Sequence, residues 1–304
     1  MLIAIDHGNK QVKTLHCEPF ISGLLESDVQ PFGPNVLKYK GKFYQITDQR
    51  IPYRRDKTED DRFFILTLFA VAGEIEAVGK YFPGIMHIQL AVGLPPAHYG
   101  AQYQAFTRYF LGRGTISFSY HGKPFSICID HADCFPQSYA AAVTMIQALS
   151  TIPRALVVDI GGYTLDYIRI KKGEGDLSAC DSLENGVILL YNKITSRARA
   201  EQDLLLSEPE IDAILQGEAT PGLEAAVPVA ERCAREFVSD LLSALRERQL
   251  ELRSGPVIFT GGGSILLQRY LRESGKVAQP MFVEDICANA RGYELLYRLS
   301  HKAG

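Results

Sequence analysis

Residues 159–166 read DIGGYTLD, two glycines held between two aspartates, directly after the apolar run RALVV. That run has the character of a buried strand. The alternation from Thr164 through Ile170 marks its hairpin partner. A carboxylate at the end of a buried strand is costly unless a cation or hydrogen bonds satisfy it. Glycines let a backbone approach an anion closely and adopt turn dihedrals closed to other residues. Taken alone, the eight residues most often mean an ordinary hairpin turn, and one wall of a phosphate site is the rarer reading.

Two other stretches shift the balance. AIDHGNKQVKT, residues 4–14, repeats the plan: a strand, then Asp6-x-Gly8, then a second strand. GPVIFTGGGS, residues 255–264, runs a strand into three glycines and a helix expected from about Ser264. Helix N-termini attract anions and polar ligand edges. No Lys-Ser or Lys-Thr follows these glycines, so this is not a Walker loop, and no dinucleotide fingerprint is present. Two carboxylates at one offset, Asp6 and Asp159, suit a Mg²⁺ ion held directly or through its waters. The repeated plan predicts two related domains.

The rest of the chain is that of an ordinary globular protein. It has 304 residues and a formal charge of −3, with basic and acidic residues interleaved. Nothing in it argues for a nucleic-acid or polybasic membrane surface. The opening apolar run is short, lacks a basic leader and breaks at Asp6, and no segment has the length of a membrane span, so a cytoplasmic protein is expected. Cys17, Cys128, Cys134, Cys180, Cys233 and Cys287 are scattered and read as buried thiols. Cys128, His131 and Cys134 are the one tight cluster of ligand types, without the second pair that a zinc site usually needs.

Further elements follow from pattern. A hairpin is expected around Gly41, a helix with a broad apolar face over 59–81, a buried strand from Ile85 to Gly93 and a helix at about 98–111. Two short strands come next, and then a small-residue helix over 136–150. In the second half helices are expected over 186–201 and 224–252, with a capping box from Ser207 to Glu210. A last helix closes the chain.

In this order, the motifs resemble the actin-like ATPase superfamily, and within it the ParM/StbA-like plasmid-segregation actins. The resemblance implies two related actin-like (ribonuclease H-like) α/β domains, each with a mixed sheet flanked by helices, and a nucleotide cleft between them. Domain I would cover 1–153, with a small subdomain at about 18–85 and a C-terminal helix 292–304 returning to it. Domain II would cover 154–291, with a small subdomain at about 196–255. DHGNKQVK resembles the first phosphate loop: Asp6 would contact Mg²⁺ through water, and Gly8, Asn9 and Lys13 the phosphates. DIGGYTLD resembles the second, with Asp159 as the other metal contact and Gly161, Gly162 and Thr164 on the γ-phosphate side. FTGGGS resembles the adenosine motif, which carries over Gly261, Gly262, Gly263 and Ser264. FPQSYAA and NARGYELL resemble the two connecting segments.

Gln137 in the first of these segments bears on the chemistry. A kinase of this superfamily needs a carboxylate base, whereas a glutamine can only orient a water by hydrogen bonding. Hydrolysis of ATP (GTP is the open alternative) with Mg²⁺ is therefore expected over transfer to a small molecule, with Gln137, Asp6 and Asp159 as catalytic residues. The family implies self-assembly into filaments and a centromere-binding adaptor protein on plasmid DNA, with no direct nucleic-acid or membrane contact. Two other readings stand beside it: a non-polymerising ATP-binding regulator, and a pantothenate-kinase-like small-molecule kinase, whose first loop also carries D-x-G-N. His7 is expected to point away from the phosphates, and Asp166 to support the hairpin.

Overall fold

A computed structural model of the protein describes residues 1–145 and 152–302. The chain divides into two compact units, Met1–Thr144 with Cys287–Gly304, and Met145–Ile286. Both are built on one plan. In the first, β1 (Leu2–His7) forms a hairpin with β2 (Gln11–Lys13) and runs parallel to β7 (Ile85–Leu94), which runs parallel to β9 (Lys123–Pro136). In the second, β10 (Arg154–Ile160) forms a hairpin with β11 (Leu165–Lys171) and runs parallel to β13 (Pro256–Thr260), which runs parallel to β14 (Gln279–Phe282). An antiparallel strand completes each hairpin edge: β3 (Phe20–Ile21) and β12 (Glu174–Leu183). These are the mixed sheets flanked by helices that the resemblance implies.

The first unit extends its sheet with β4 (Gly23–Ser27), β5 (Val36–Tyr39), β6 (Lys42–Arg50) and β8 (Thr115–Tyr120). The sheet then has nine strands, in the order β3-β2-β1-β7-β9-β8-β5-β6-β4. The two outermost strands, β3 and β4, are separated in the chain by Ser22 alone, so the sheet curls back on itself. It wraps α1 (Arg62–Ala77), in which every residue from Phe63 to Ala72 is buried. Rings of α1 meet Phe20 of β3, Tyr39 of β5, Tyr120 of β8 and Tyr109 of α2 (Pro96–Phe110). The expected helix with a broad apolar face is thus a central one, buried all round from Phe63 to Ala72, as a helix apolar on all sides must be.

The C-terminal helix α9 (Ala288–Lys302) returns to the first unit. Its Ala290, Tyr293 and Tyr297 pack on Ala4, Ala91 and Ala140. Gly292 lets it approach α3 (Tyr139–Val143): a Cβ there would stand 1.9 Å from the Ala140 carbonyl oxygen.

In the second unit, α4 (Val187–Gln202), α5 (Glu208–Gln216) and α6 (Val227–Glu247) pack on the sheet. The capping box is formed: Ser207 N–H donates to Glu210 Oε2 at 2.7 Å. On α6 the buried positions, from Val229 to Leu245, recur every three or four residues.

Several expectations shift. β9 runs on to Pro136, so the small-residue helix begins at Tyr139 and is helical to Val143; residues 146–150 of that expected helix lie outside the described residues. The helix after the third glycine turn starts at Gly262 and breaks at Leu267 into α7 (Gly262–Leu266) and α8 (Gln268–Glu273). Edge strands β12 and β14 escape the pattern because one is polar and the other is only four residues long. Of the six thiols only Cys134 and Cys233 are buried. Nor do Cys128, His131 and Cys134 converge: β9 places Cys128 beside His87, while burial in the core raises the Cys134 thiol to about 12. No helix among the described residues is long and apolar enough to cross a membrane.

Two expectations test this packing. Gly292→Ala should cost about 1–3 kcal/mol in urea unfolding by forcing α9 off α3; unchanged stability would refute the contact. His7 lies wholly within the aromatic core beside Phe63, Phe106 and Phe110, and burial, aided by the Lys57 charge, drives its pKa from 6.5 to about 3. Its neutral form belongs to the folded state, so its contribution is complete above the unfolded pKa and is lost as pH falls. Stability should drop by about 1.4 kcal/mol per pH unit from this group between about pH 6 and pH 4. His7→Phe should remove that part of the slope; coincident pH profiles for the two proteins would show the assignment to be wrong.

Candidate functional site

β1 ends in Asp6 and His7, which a strand must point to opposite sides. His7 turns into the core. Thr67 Oγ1 donates to the Phe63 carbonyl, so His7 Nε2 is the donor in its 2.8 Å bond to Thr67. Asp6 turns the other way. In the β1–β2 register it stands directly opposite Lys13, so the seven-residue spacing of the motif is a cross-strand neighbour relation. Lys13 Nζ lies 3.3 Å from Asp6 Oδ2, and Gln137 Nε2 donates to Asp6 Oδ1 at 3.0 Å. The structure therefore gathers Asp6, Lys13 and Gln137 around one carboxylate that is only 3 % exposed.

The backbone of this turn is fixed from behind. Lys57 Nζ donates to the His7 carbonyl and Ser22 Oγ to the Gly8 carbonyl. Across a planar trans peptide the N–H points opposite to the C=O. Anchoring these two carbonyls therefore directs the amides of Gly8 and Asn9 the other way, the arrangement an anion requires. Neither Ser22 nor Lys57 belongs to a motif. Both are polar groups buried far along the chain from the turn, and no local pattern signals them.

The second turn is built by the same logic with a different anchor. The carbonyls of Gly161, Gly162 and Tyr163 accept from the N–H groups of Val187, Ile188 and Gly186 at 3.1, 2.9 and 2.9 Å. These donors open α4, where a helix leaves N–H groups without intrahelical partners. The amides of Gly162, Tyr163 and Thr164 must then face the opposite way. Asp159 lies opposite Asp166 in the β10–β11 register, at the same seven-residue spacing, and both are buried. Thr164 Oγ1 donates to Asp166 Oδ2 at 3.0 Å, which ties Asp166 into the hairpin. Carboxylate oxygens of this kind are the hard donors that Mg²⁺ takes.

The third turn meets the second at Gly261, which has φ +86° and where a Cβ would lie 2.1 Å from Asp159 Oδ1. Only glycine fits beside that carboxylate. Gly262 borders Ile286 loosely: a Cβ there would stand 3.8 Å from the Ile286 Cδ1. Gly263 instead faces inward onto Ile160 and Val187, and Ser264 is buried with its hydroxyl given to the Thr260 carbonyl. These last two residues hold the turn from within.

Gln137 is held by backbone strain as well as by Asp6. Ser138 has φ 64° and ψ −55°, and Tyr139 N–H donates back to the Gln137 carbonyl at 2.6 Å, a γ-turn of the rare positive-φ hand. Such strain persists only where the surroundings impose it. Here Asn289 Oδ1, at the start of α9, accepts from Ser138 N–H at 3.0 Å, and the Leu94 carbonyl accepts from Gln137 N–H at 2.8 Å. Because Asp6 accepts from the amide nitrogen, the amide oxygen is the group of Gln137 able to receive a hydrogen bond from water.

Comparison with known proteins supplies the family. Residues 4–139 match the family model for the N-terminal domain of actin-like proteins, and residues 157–273 that for the C-terminal part of the archaeal actin homologue MreB-like. No curated protein sequence matches the chain significantly. Among solved structures, the actin-like protein Alp7A is similar with a TM-score of 0.76 at 15% identity, over 100% of this chain and 98% of that one. ParM of Bacillus thuringiensis with ATP gives 0.71 at 12%, over 100% and 99%. The 15-stranded ParM filament from Clostridium botulinum gives 0.72 at 18%, over 98% and 99%. With both units matched by actin-like models and both carrying the same strand–Asp–glycine turn, the chain belongs to the actin-like protein family.

Proposed function

We propose that this protein is a nucleotide triphosphatase that binds Mg-ATP, assembles into filaments and serves plasmid segregation. The observation that carries the reading is the paired turn: in each unit a buried aspartate ends a strand, and the next backbone carbonyls are anchored so that the amides face away from them. The proposal has both turns serve one nucleotide. Asp6 and Asp159 would hold the waters of Mg²⁺, which supplies charge neutralisation at the phosphates when bound. The amides of Gly8, Asn9, Gly162, Tyr163 and Thr164 would receive the phosphate oxygens, and Gly261 and Gly262 would leave room for the nucleoside. Lys13 neutralises Asp6 in the structure and would share its charge with a phosphate.

Gln137 would orient the attacking water through its amide oxygen. It has no base to offer, so hydrolysis is favoured over transfer to a substrate hydroxyl. The similar B. thuringiensis protein has been seen with ATP and the C. botulinum protein as a filament, which supports nucleotide binding and self-association here. With a formal charge of −3 and no basic tract, the chain would reach DNA through an adaptor protein.

Gln137→Ala should slow hydrolysis about a hundredfold while nucleotide affinity changes little, as read by phosphate release alongside a fluorescent-nucleotide titration. Equal losses in both would make Gln137 a binding residue. Asp159→Ala should abolish turnover and weaken Mg-nucleotide binding; near-normal turnover would remove Asp159 from the site. Sedimentation across a range of protein concentrations should show an ATP-dependent pellet above a threshold. Hydrolysis without any pellet would leave an ATPase but no filament.

A further inference from the structure

We propose that the first unit carries a site for one divalent zinc-class ion, formed by His131, Asp133 and His301. One ligand atom from each of the three residues lies within 4.8 Å of the others. His131 and Asp133, two residues apart on β9, share a face of the strand, and His131 Nε2 lies 3.1 Å from Asp133 Oδ1. His301 comes from the last turn of α9, its Nε2 3.7 Å from Asp133 Oδ2.

The tautomer of His301 is the decisive detail. Its Nδ1 lies 2.9 Å from the Tyr297 carbonyl oxygen, which can only accept, and 3.1 Å from Ser300 Oγ, whose own proton goes to that carbonyl, so Nδ1 carries the proton. In the neutral ring Nε2 then presents a lone pair toward the carboxylate, and two acceptors face each other with room for a cation between them. A ligand histidine that gives its other N–H to a backbone carbonyl is the usual outer support of a metal site. The Tyr297 ring stacks on His301 at 4.1 Å and 14°, fixing the plane of the imidazole. Two imidazoles and one carboxylate form a donor set that suits Zn²⁺ and disfavours Mg²⁺. All three residues are partly open to solvent, so water can complete the coordination. The ion would fasten the end of α9 to the sheet. A second group, His87, Cys128 and Asp130, also converges, but His87 meets Asp130 through Nδ1 on an open surface.

The test is zinc titration of the full chain after chelator treatment, followed by calorimetry and by metal analysis after dialysis. One equivalent should bind, and affinity should fall about tenfold or more in His131→Ala and in His301→Ala while His87→Ala retains it. Zinc should raise the Tm of the unmodified protein and of His87→Ala, but not of His301→Ala. His301→Gln serves as a second variant should the alanine change unfold α9. No bound equivalent, or binding that survives both His131 and His301 substitutions, or binding lost only in His87→Ala, would overturn the proposal; the first result would leave His301 and Asp133 as an ordinary ion pair.

Discussion

The planarity of the trans peptide bond is the constraint on which the site depends. A loop cannot direct its amides toward an anion unless its carbonyls are satisfied on the opposite side. The first unit meets this condition with two buried side chains, Lys57 and Ser22, and the second with the opening amides of α4. The second solution uses donors that a helix leaves over in any case. The first needs a buried cation, and the surrounding fold accounts for it: Lys57 is fixed between the His7 carbonyl and the ring of Phe63. The enclosure of α1, the curl of the sheet through Ser22 and the geometry of the first turn are therefore parts of one packing arrangement. Ser22 joins the two ends of the sheet and also holds the Gly8 carbonyl.

The same economy appears around Gln137. A strained γ-turn at Ser138 sets the side chain against Asp6, and the strain is held by Asn289 on the helix that returns from the end of the chain. The close contacts of α9 on α3, made possible by Gly292, keep Asn289 in place. Chain connectivity thus reaches the candidate catalytic residue through the Asn289 side chain, which accepts from the Ser138 backbone N–H beside it.

Much of this was legible in the residues themselves. The offset of Asp6 from Gly8 and of Asp159 from Gly161 revealed the repeated plan, and the seven-residue spacing from Asp6 to Lys13 proved to be a hairpin register. Strands and helices with strong apolar periodicity were found within a few residues. What stayed hidden was non-local. Ser22, Lys57 and Asn289 act on turns far away in the chain, and nothing in their own neighbourhoods marks them. The burial of α1 on every side from Phe63 to Ala72 was not legible because enclosure depends on a sheet assembled from residues on both sides of it. Gly263 and Ser264 shared a motif with Gly261, yet the helix beginning at Gly262 turns them inward. The pairing of His131 and Asp133 with His301 joins residues that no window on the sequence would hold together.

The central claim is the proposal that each of the two turns receives phosphate through its amides. Amide-resolved NMR during a Mg-ATP titration addresses it directly. The proposal predicts that the N–H signals of Gly8, Asn9, Gly162, Tyr163 and Thr164 all shift as Mg-ATP saturates the protein. Shifts confined to one turn, or none at saturating nucleotide, would contradict it.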